Sequence, residues 1–266
     1  MTGRQLARVS ATDYRETVWS EVYPGNQHTV QCFKPGGLAA ETALELAPAQ
    51  RKRTVWRLDG GAGSDDHVRW LLKRGLQVVA KEMSNRRAYA LARKARRWDA
   101  HQDAWLGEVK PPTEYGQPIR VFVKRRLKED AFCHSYYLST LSLPSKVLFM
   151  ACYDARGGAE VEQFRSDKNG LSSETRRKRS FTGQKGYILL TDLAHNLLAD
   201  FHAKALVGTR FESYGLKRTV RDLLNFPGRL VFDQRGELVR VELLSLKQFA
   251  RDLSICLEIA CLCVTE

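Results

Sequence analysis

Hydrophobic and polar positions divide the first part of the chain into short strands and a helix. Residues 5 to 23 have the pattern of two short strands, and Pro24-Gly25-Asn26 predicts a turn after them. A helix is expected around Leu38 to Leu46, and Arg53 to Leu58 is a short β-prone run. The chain therefore begins with strands that are connected to a helix by a turn.

The next segment has the signals of a strand, a helix and a second strand. Ser64 suits the N-cap of a helix, because its hydroxyl can accept a backbone N–H of the first turn. Asp65 and Asp66 lie in the expected first turn, where negative charge interacts favourably with the helix dipole. Gly75 predicts the end of the helix. Leu76 to Ala80 is the second strand. This order within about 30 residues predicts a βαβ unit with parallel strands.

The remaining segments alternate between helical and strand patterns. Ser84 is expected to cap a helix running to about Trp98, and strands are expected in a β-rich stretch at about 103–143. The later elements are a helix from Pro144-Ser145 to Lys168, a helix from about Gln184 to Leu206, a hairpin around Arg235-Gly236 and a helix from about Gln248. The chain is thus predicted to be one α/β domain, residues 1–266, with one β insertion.

Charge and composition narrow the class of protein. The chain has 43 Lys and Arg against 30 Asp and Glu, a net charge of +13, which favours nucleic acid as a partner, although solubility alone is the simpler alternative. The N-terminal sequence lacks the apolar stretch of a signal peptide, and no run approaches the roughly 20 apolar residues of a membrane span. The six cysteines lack metal-ligand spacing. We expect a cytoplasmic, nucleoid-associated protein without membrane contact.

The segment from Ser84 to Trp98 carries many cations and almost no acidic residues to pair with them. Cations on such a surface neutralise phosphates, whereas the alternative is an ordinary solvated face. The residues expected to contact DNA here are Arg86, Arg87, Arg93 and Arg97.

Asp59 is the first candidate for chemistry. It ends a predicted strand and is followed by glycines, and ligands of open α/β sheets bind at the carboxyl ends of strands. A metal-binding carboxylate is one interpretation. The other is an aspartate that caps its own turn, as Asp-Gly sequences often do. The glycines themselves lack the pattern of a phosphate-binding loop, which excludes a nucleotide site of that type.

A second candidate lies in the helix predicted before Lys168. Tyr153, Arg156 and Glu160 are spaced i, i+3 and i+7, which places them on one helix face. Glu160 on this face suits a metal held by Asp59, and Arg156 suits a phosphate or the Glu160 carboxylate. The alternative is a surface ion pair worth only about 0.3–0.5 kcal/mol. His195 and His202, on an apolar helix, are expected to be satisfied core or interface residues.

Together these segments resemble the DDE transposases of bacterial insertion sequences, in the group with a Tyr-x-x-Arg-x-x-x-Glu-…-Lys signature. VWRLDGGAGSDDHVRWLLKRG resembles the segment around the second catalytic Asp, and YDARGGAEVEQFRSDK resembles the signature helix. ILLTDLAHNLLADF and the PGRLVF…VELLS hairpin resemble the C-terminal segments. The resemblance covers nearly the whole chain.

The resemblance implies an RNase H-like catalytic core with a β insertion, and Mg²⁺-dependent (or Mn²⁺-dependent) cleavage and strand transfer at transposon ends. Two metal ions held by carboxylates would activate the attacking oxygen and stabilise the leaving one. Asp59 and Glu160 would be catalytic and metal-binding, and Tyr153, Arg156 and Lys168 would contact DNA. The implied partners are the terminal inverted repeats, the target DNA and a second copy of the chain in a homodimer.

Two departures from the family pattern change these expectations. The signature Lys would fall at position 167, which is Asp, and Lys168 follows one residue later, so Glu162 is the alternative to Glu160. The first catalytic Asp is expected on a strand upstream of this sequence, and Asp13 is not assigned to that role. We expect the first strand of the core to be missing, which would expose a sheet edge.

Three functions remain open at this stage. One is a DDE enzyme that receives its first Asp from an upstream segment or a partner, with impaired activity in this chain alone. The second is a catalytically inactive DNA-binding remnant, or an inhibitor of full-length transposase. The third is a host RNase H-like nuclease.

Overall fold

A computed structural model of the protein describes residues 4–27, 29–172, 178–225, 227–243 and 248–262; side chains within 156–164 lie outside what it describes. The strands are β1 (Arg4–Ala11), β2 (Glu16–Pro24), β3 (Val55–Leu58), β4 (Gln77–Lys81), β5 (Trp98–His101), β6 (Ala104–Val109), β7 (Arg120–Lys128), β8 (Ala131–Ser139), β9 (Gly228–Phe232) and β10 (Leu238–Leu243). The α-helices are α1 (Thr29–Ala43), α2 (Pro48–Arg51), α3 (Asp65–Lys73), α4 (Asn85–Ala92), α5 (Lys146–Gly170), α6 (Phe181–Phe201), α7 (Leu216–Arg218) and α8 (Gln248–Leu262).

The chain divides into two compact units. Unit 1 comprises Met1–Val9 and Val18–Ala159, and unit 2 comprises Ser10–Thr17 and Glu160–Glu266. The sequence contains no composition change at residue 160 that would predict this division.

Unit 1 is built on a six-stranded mixed sheet with the order β3-β4-β8-β7-β6-β5. β3 and β4 are parallel, with Val55 opposite Gln77, and the other pairs are antiparallel. The predicted βαβ unit and the α/β class are therefore confirmed. The β-rich stretch at about 103–143 continues the sheet that β3 and β4 begin, and β3 forms one edge of that sheet.

Both faces of the sheet are covered by helices. One face packs a buried cluster against α3 and α4, including Val68, Leu71 and Leu91. The opposite face packs against α5 through Phe149 and Met150, both fully buried. Because the sheet is covered on both sides, the residues just after its strands are held on a rigid support.

The local signals at two helix starts are confirmed. The Ser64 hydroxyl accepts the His67 N–H at 3.3 Å, and the Ser84 hydroxyl accepts the Arg87 N–H at 3.2 Å. Gly75 ends α3 with a φ of +78°, a conformation that glycine adopts without a steric penalty. The extent of α4 was predicted wrongly, because the helix ends at Ala92 and Trp98 begins β5.

Unit 2 contains α6, the β9–β10 hairpin and α8, all of which the hydrophobic pattern predicted. A π-helical turn, His202–Leu206, follows α6 and packs Leu206 into a buried cluster with Phe211 and Leu253. Among the residues that the structure describes, no helix is both long enough and apolar enough to cross a membrane.

Candidate nucleic-acid interface and acidic site

Asp59 lies exposed in the first position after β3, at the carboxyl end of a parallel strand. Its Oδ1 accepts the backbone N–H groups of Gly61 at 3.0 Å and Ala62 at 3.1 Å. The side chain therefore caps its own turn, which is the second of the two interpretations that the sequence allowed. The same turn keeps the carboxylate exposed at the edge of the sheet.

The turn that carries Asp59 is fixed to the body of unit 1; we call residues 59–64 the Asp59 loop. A Cβ atom at Gly63 would lie 1.9 Å from the Lys81 carbonyl oxygen, so only glycine fits this approach of the loop to the end of β4. Buried His67 donates from Nδ1 to the Ala62 carbonyl oxygen at 2.7 Å, and its ring stacks on Phe33. The Asp59 loop is thus held on both sides.

A network of charged and phenolic groups lies behind the Asp59 loop. Asp65, the first residue of α3, accepts the Tyr115 hydroxyl at 2.7 Å and Arg87 Nη1 at 2.7 Å. Burial would raise the pKa of Asp65, but the hydrogen bonds from Tyr115 and Arg87 outweigh it and lower the pKa below its ordinary value. Asp65 is therefore ionised at neutral pH, and the predicted DNA contact of Arg87 competes with this structural pairing.

Glu82 is the second carboxylate of the network and was not singled out by its sequence context. It directly follows β4 and is only 7% exposed, and its Oε2 accepts the Tyr136 hydroxyl at 3.2 Å. Burial, together with the nearby Asp65 carboxylate, raises the pKa of Glu82 to about 7. Two neighbouring carboxyls with pKa values moved in opposite directions are typical of functional sites, but they also occur in structural networks.

The predicted metal site is incomplete in the described residues. Within that part of the chain, no group of three or more His, Cys, Asp or Glu side chains is placed to hold a metal ion. The side chains of Arg156, Glu160 and the alternative Glu162 lie outside the described residues, although their backbone belongs to α5. Of the two predicted metal ligands, Asp59 is therefore the one whose side chain the structure describes.

Tyr153 and Lys168, the other predicted DNA contacts on α5, have different environments. Tyr153 is 6% exposed and packs edge-on against Tyr137 at a centroid distance of 4.8 Å, which gives it a place in the core. Lys168 is exposed near the C-terminal end of α5. Asp167, at the position of the signature Lys, is completely buried and pairs with His195. Roles of Tyr153 and Lys168 in DNA binding stay predictions.

Aromatic rings surround an arginine on the α4 side of the sheet. The Arg125 guanidinium lies 4.3 Å from the ring centre of Trp98, 5.3 Å from that of Trp105 and 5.1 Å from that of Phe132. These distances are those of cation–π contacts. Trp98, Trp105 and Phe132 lie on β5, β6 and β8, and Arg125 lies on β7. The cage that these three rings form around Arg125 therefore depends on the order β8-β7-β6-β5 in the sheet.

Further aromatic and basic residues extend this surface. Tyr89, on α4, is 58% exposed and packs edge-on against His134, which is within 6.4 Å of Phe132. Arg86 lies three residues before Tyr89, and Arg93 lies four residues after it. Both arginines are exposed, and Arg97 is exposed as well. We call this surface the aromatic-basic face; its members are Tyr89, Trp98, Trp105, Arg125, Phe132 and His134 with Arg86, Arg93 and Arg97.

His134 contributes an uncharged ring to the aromatic-basic face. Burial lowers the pKa of His134, and the neighbouring Arg125 lowers it further, so this ring is neutral at pH 7 and free to stack. The sequence indicated Arg86, Arg93 and Arg97, but not the rings, because the rings of this face are spread along the chain from position 89 to position 134. A combination of exposed cations and aromatic rings is the chemistry that binds single-stranded nucleic acid.

In comparisons with known proteins, no family model and no curated protein matches this sequence.

Proposed function

We propose that this chain is a DNA-binding protein of the DDE transposase class, and that DNA binds on the aromatic-basic face. The observation that carries the proposal is Arg125, held among Trp98, Trp105 and Phe132 beside exposed arginines. Arginines supply phosphate contacts and the rings supply stacking for bases, so one surface offers both contributions to binding. The resemblance to transposases supplies the class, including the inverted repeats and target DNA as partners.

The binding test uses fluorescence anisotropy with a labelled single-stranded oligonucleotide and the matching duplex. We expect affinity to fall steeply between about 50 and 200 mM salt, since each phosphate contact releases counterions. Changing Arg86, Arg93 and Arg97 together to Gln should reduce the log–log salt slope for duplex by roughly 0.9 per lost contact. Lys73→Gln, an exposed cation at the end of α3, is the control. A triple variant with wild-type affinity and slope would refute this assignment of the surface.

A second candidate function, metal-dependent cleavage of DNA at transposon ends, is favoured by the position of Asp59. It is an exposed carboxylate on a rigid loop at the carboxyl end of β3, and oxygen ligands of this type suit Mg²⁺ or Mn²⁺. β3 forms an edge of the sheet, where an RNase H-like core would have room for the strand that bears the first catalytic Asp. Glu160 would complete the pair of carboxylates that the resemblance implies.

Cleavage and binding can be separated by one pair of measurements. Cleavage of transposon-end DNA that needs Mg²⁺ and disappears in Asp59→Ala would support the enzyme. Salt-sensitive binding that is indifferent to Mg²⁺, without cleavage, would support the DNA-binding remnant or inhibitor. Preferential cleavage of RNA–DNA hybrids would favour a nuclease of the host instead. In all cases binding by Asp59→Ala should equal that of the wild type, because Asp59 is not a member of the aromatic-basic face.

A further inference from the structure

Glu82 is a buried carboxyl group that lacks a full set of hydrogen bonds. Its Oε1 is enclosed and has no hydrogen-bond partner among the described residues, and its Oε2 has only the Tyr136 hydroxyl. A buried ionised carboxylate needs several donors, whereas a protonated carboxyl group needs fewer. The surroundings of Glu82 therefore suit its protonated form better than its ionised form.

The groups that face Glu82 come from α3, α4, β8 and the segment between β6 and β7. Asp65 on α3 repels the ionised form of Glu82, and Arg87 on α4 attracts it. Tyr136 on β8 donates a hydrogen bond to Glu82. Tyr115, between β6 and β7, is close enough for the charge of Glu82 to raise its pKa. The one cation of this group, Arg87, already binds Asp65 at 2.7 Å and contacts the Tyr136 hydroxyl at 3.2 Å. If Glu82 becomes ionised, two carboxylates compete for one guanidinium.

The Asp59 loop is in direct contact with the chain beside Glu82. The tight approach of Gly63 to the Lys81 carbonyl oxygen joins the loop to the residue before Glu82. Asp65, which follows the Ser64 cap, joins the same C-terminal end of the loop to Arg87 and Tyr115. A change in the sharing of Arg87 between Glu82 and Asp65 therefore acts on the C-terminal end of the loop that presents Asp59.

We propose that Glu82 is a positioning residue for the Asp59 loop: protonated Glu82 leaves Arg87 bound to Asp65 and holds the loop in place, whereas ionised Glu82 draws on Arg87 and loosens it. The consequence for DNA rests on the proposed function, because a loosened loop matters for cleavage only if Asp59 takes part in it. The coupling of Glu82 to the loop does not depend on that function.

The test is native-state hydrogen exchange of the Gly61 and Ala62 amides, which are bonded to Asp59 Oδ1. Glu82 has a raised pKa while the loop is closed, and opening of the loop exposes Glu82 to water and returns its pKa to the ordinary value. Protonated Glu82 therefore stabilises the closed loop at low pH, and this stabilisation is lost as the pH rises through about 7. The protection factors of the Gly61 and Ala62 amides should fall about tenfold between pH 6 and pH 8 in the wild type. In Glu82→Gln they should not change over this range.

Two further variants make the outcome decisive. Glu82→Met removes the ionisable group without burying an amide, so it replaces Glu82→Gln if that variant does not fold. Glu82→Met should also abolish the pH dependence. Glu114→Gln, an exposed carboxylate in the same unit, should retain the wild-type dependence. Protection that is independent of pH in the wild type, or equally dependent in both Glu82 variants, would overturn the proposal. DNA binding and cleavage are measured separately, so a chain that binds no DNA but shows the tenfold change would refute the proposed function alone.

Discussion

His195 Nδ1 lies 2.6 Å from Asp167 Oδ1, and both side chains are buried in unit 2. The other ring nitrogen, Nε2, lies 2.7 Å from the Arg15 carbonyl oxygen. Both ring nitrogens therefore face oxygen atoms, one of a carboxylate and one of a carbonyl group. This arrangement fixes the hairpin tip that contains Arg15 to α5 and α6, and confirms the expectation that His195 is a satisfied core histidine.

We expect Asp167→Asn to destabilise unit 2 by about 3 kcal/mol, because it replaces the buried carboxylate that contacts His195 Nδ1. All five tryptophans lie in unit 1, so their fluorescence does not report on unit 2. Hydrogen exchange of the α6 amides is the suitable measurement. Asp200→Asn, which breaks the exposed ion pair with Lys204, is the control and should exchange as the wild type does. Equal exchange in both variants would argue against a stabilising Asp167–His195 pair.

Asp65→Asn should reduce the stability of unit 1 at neutral pH by about 3 kcal/mol, since Arg87 and Tyr115 lose their charged acceptor. The folded-state pKa of Asp65 is lowered from 3.8, so its contribution is present above pH 3.8 and is lost as pH falls through the lower, folded value. The difference between wild type and variant should therefore shrink on acidification.

The check is urea unfolding followed by tryptophan fluorescence at pH 7 and at progressively lower pH. Asp66→Asn is the matched control, because Asp66 is the next residue, is almost fully exposed and lies 3.8 Å from Arg69 in an exposed ion pair. A constant difference between Asp65→Asn and wild type at all pH values would contradict the role of the Asp65 charge.

Gly63→Ala should destabilise unit 1 by about 3 kcal/mol, because the new methyl group would overlap the Lys81 carbonyl oxygen and the backbone would have to move. Amide protection at Gly61 and Ala62 should fall in the same variant, as the Asp59 loop separates from β4. Gly60→Ala is the control, since a Cβ at that position meets no atom within 4 Å. Urea unfolding and hydrogen exchange measure the two effects, and similar values for the two variants would contradict the tight packing.

Phe132→Leu should weaken binding of single-stranded DNA by about fivefold or more, because leucine keeps the apolar volume and loses the surface on which a base stacks. Phe132 is 49% exposed, so the fold should tolerate the change. Tyr14→Leu, an exposed aromatic residue elsewhere at 74% exposure, is the control and should bind as the wild type does. Anisotropy titrations give both affinities, and identical losses in the two variants would indicate a general effect of removing surface rings.

The acidic site was predictable only in part. Asp59 could be singled out because a strand pattern and a turn signal meet at one residue, and its position after β3 is confirmed. Glu82 could not, because its raised pKa depends on Asp65, Arg87 and Tyr136, which lie up to 54 residues away along the chain. A carboxylate after a strand has no distinguishing local pattern until the groups that surround it are known.

Helix α1 illustrates the same limit in the fold. The expected bounds of this helix, Leu38 to Leu46, are wrong, because α1 spans Thr29–Ala43 and includes the helix-breaking sequence Pro35-Gly36-Gly37. Atoms of the Trp19 and Trp70 rings lie 2.7 and 2.8 Å from where Cβ atoms of Gly36 and Gly37 would be, so these glycines make room for the two rings. Packing of distant rings thus favours a helix that local preferences disfavour.

The sequence by itself determined the elements whose signals are local: the capped starts of α3 and α4, the Gly75 end of α3, the hairpins and the parallel βαβ order. The hydrogen bonds and backbone preferences behind these signals act between residues a few positions apart, so the linear order contains them. Only the tertiary structure decided the cage around Arg125, the burial of Asp167 and the environment of Glu82. These depend on contacts and desolvation among residues that become neighbours when strands and helices pack.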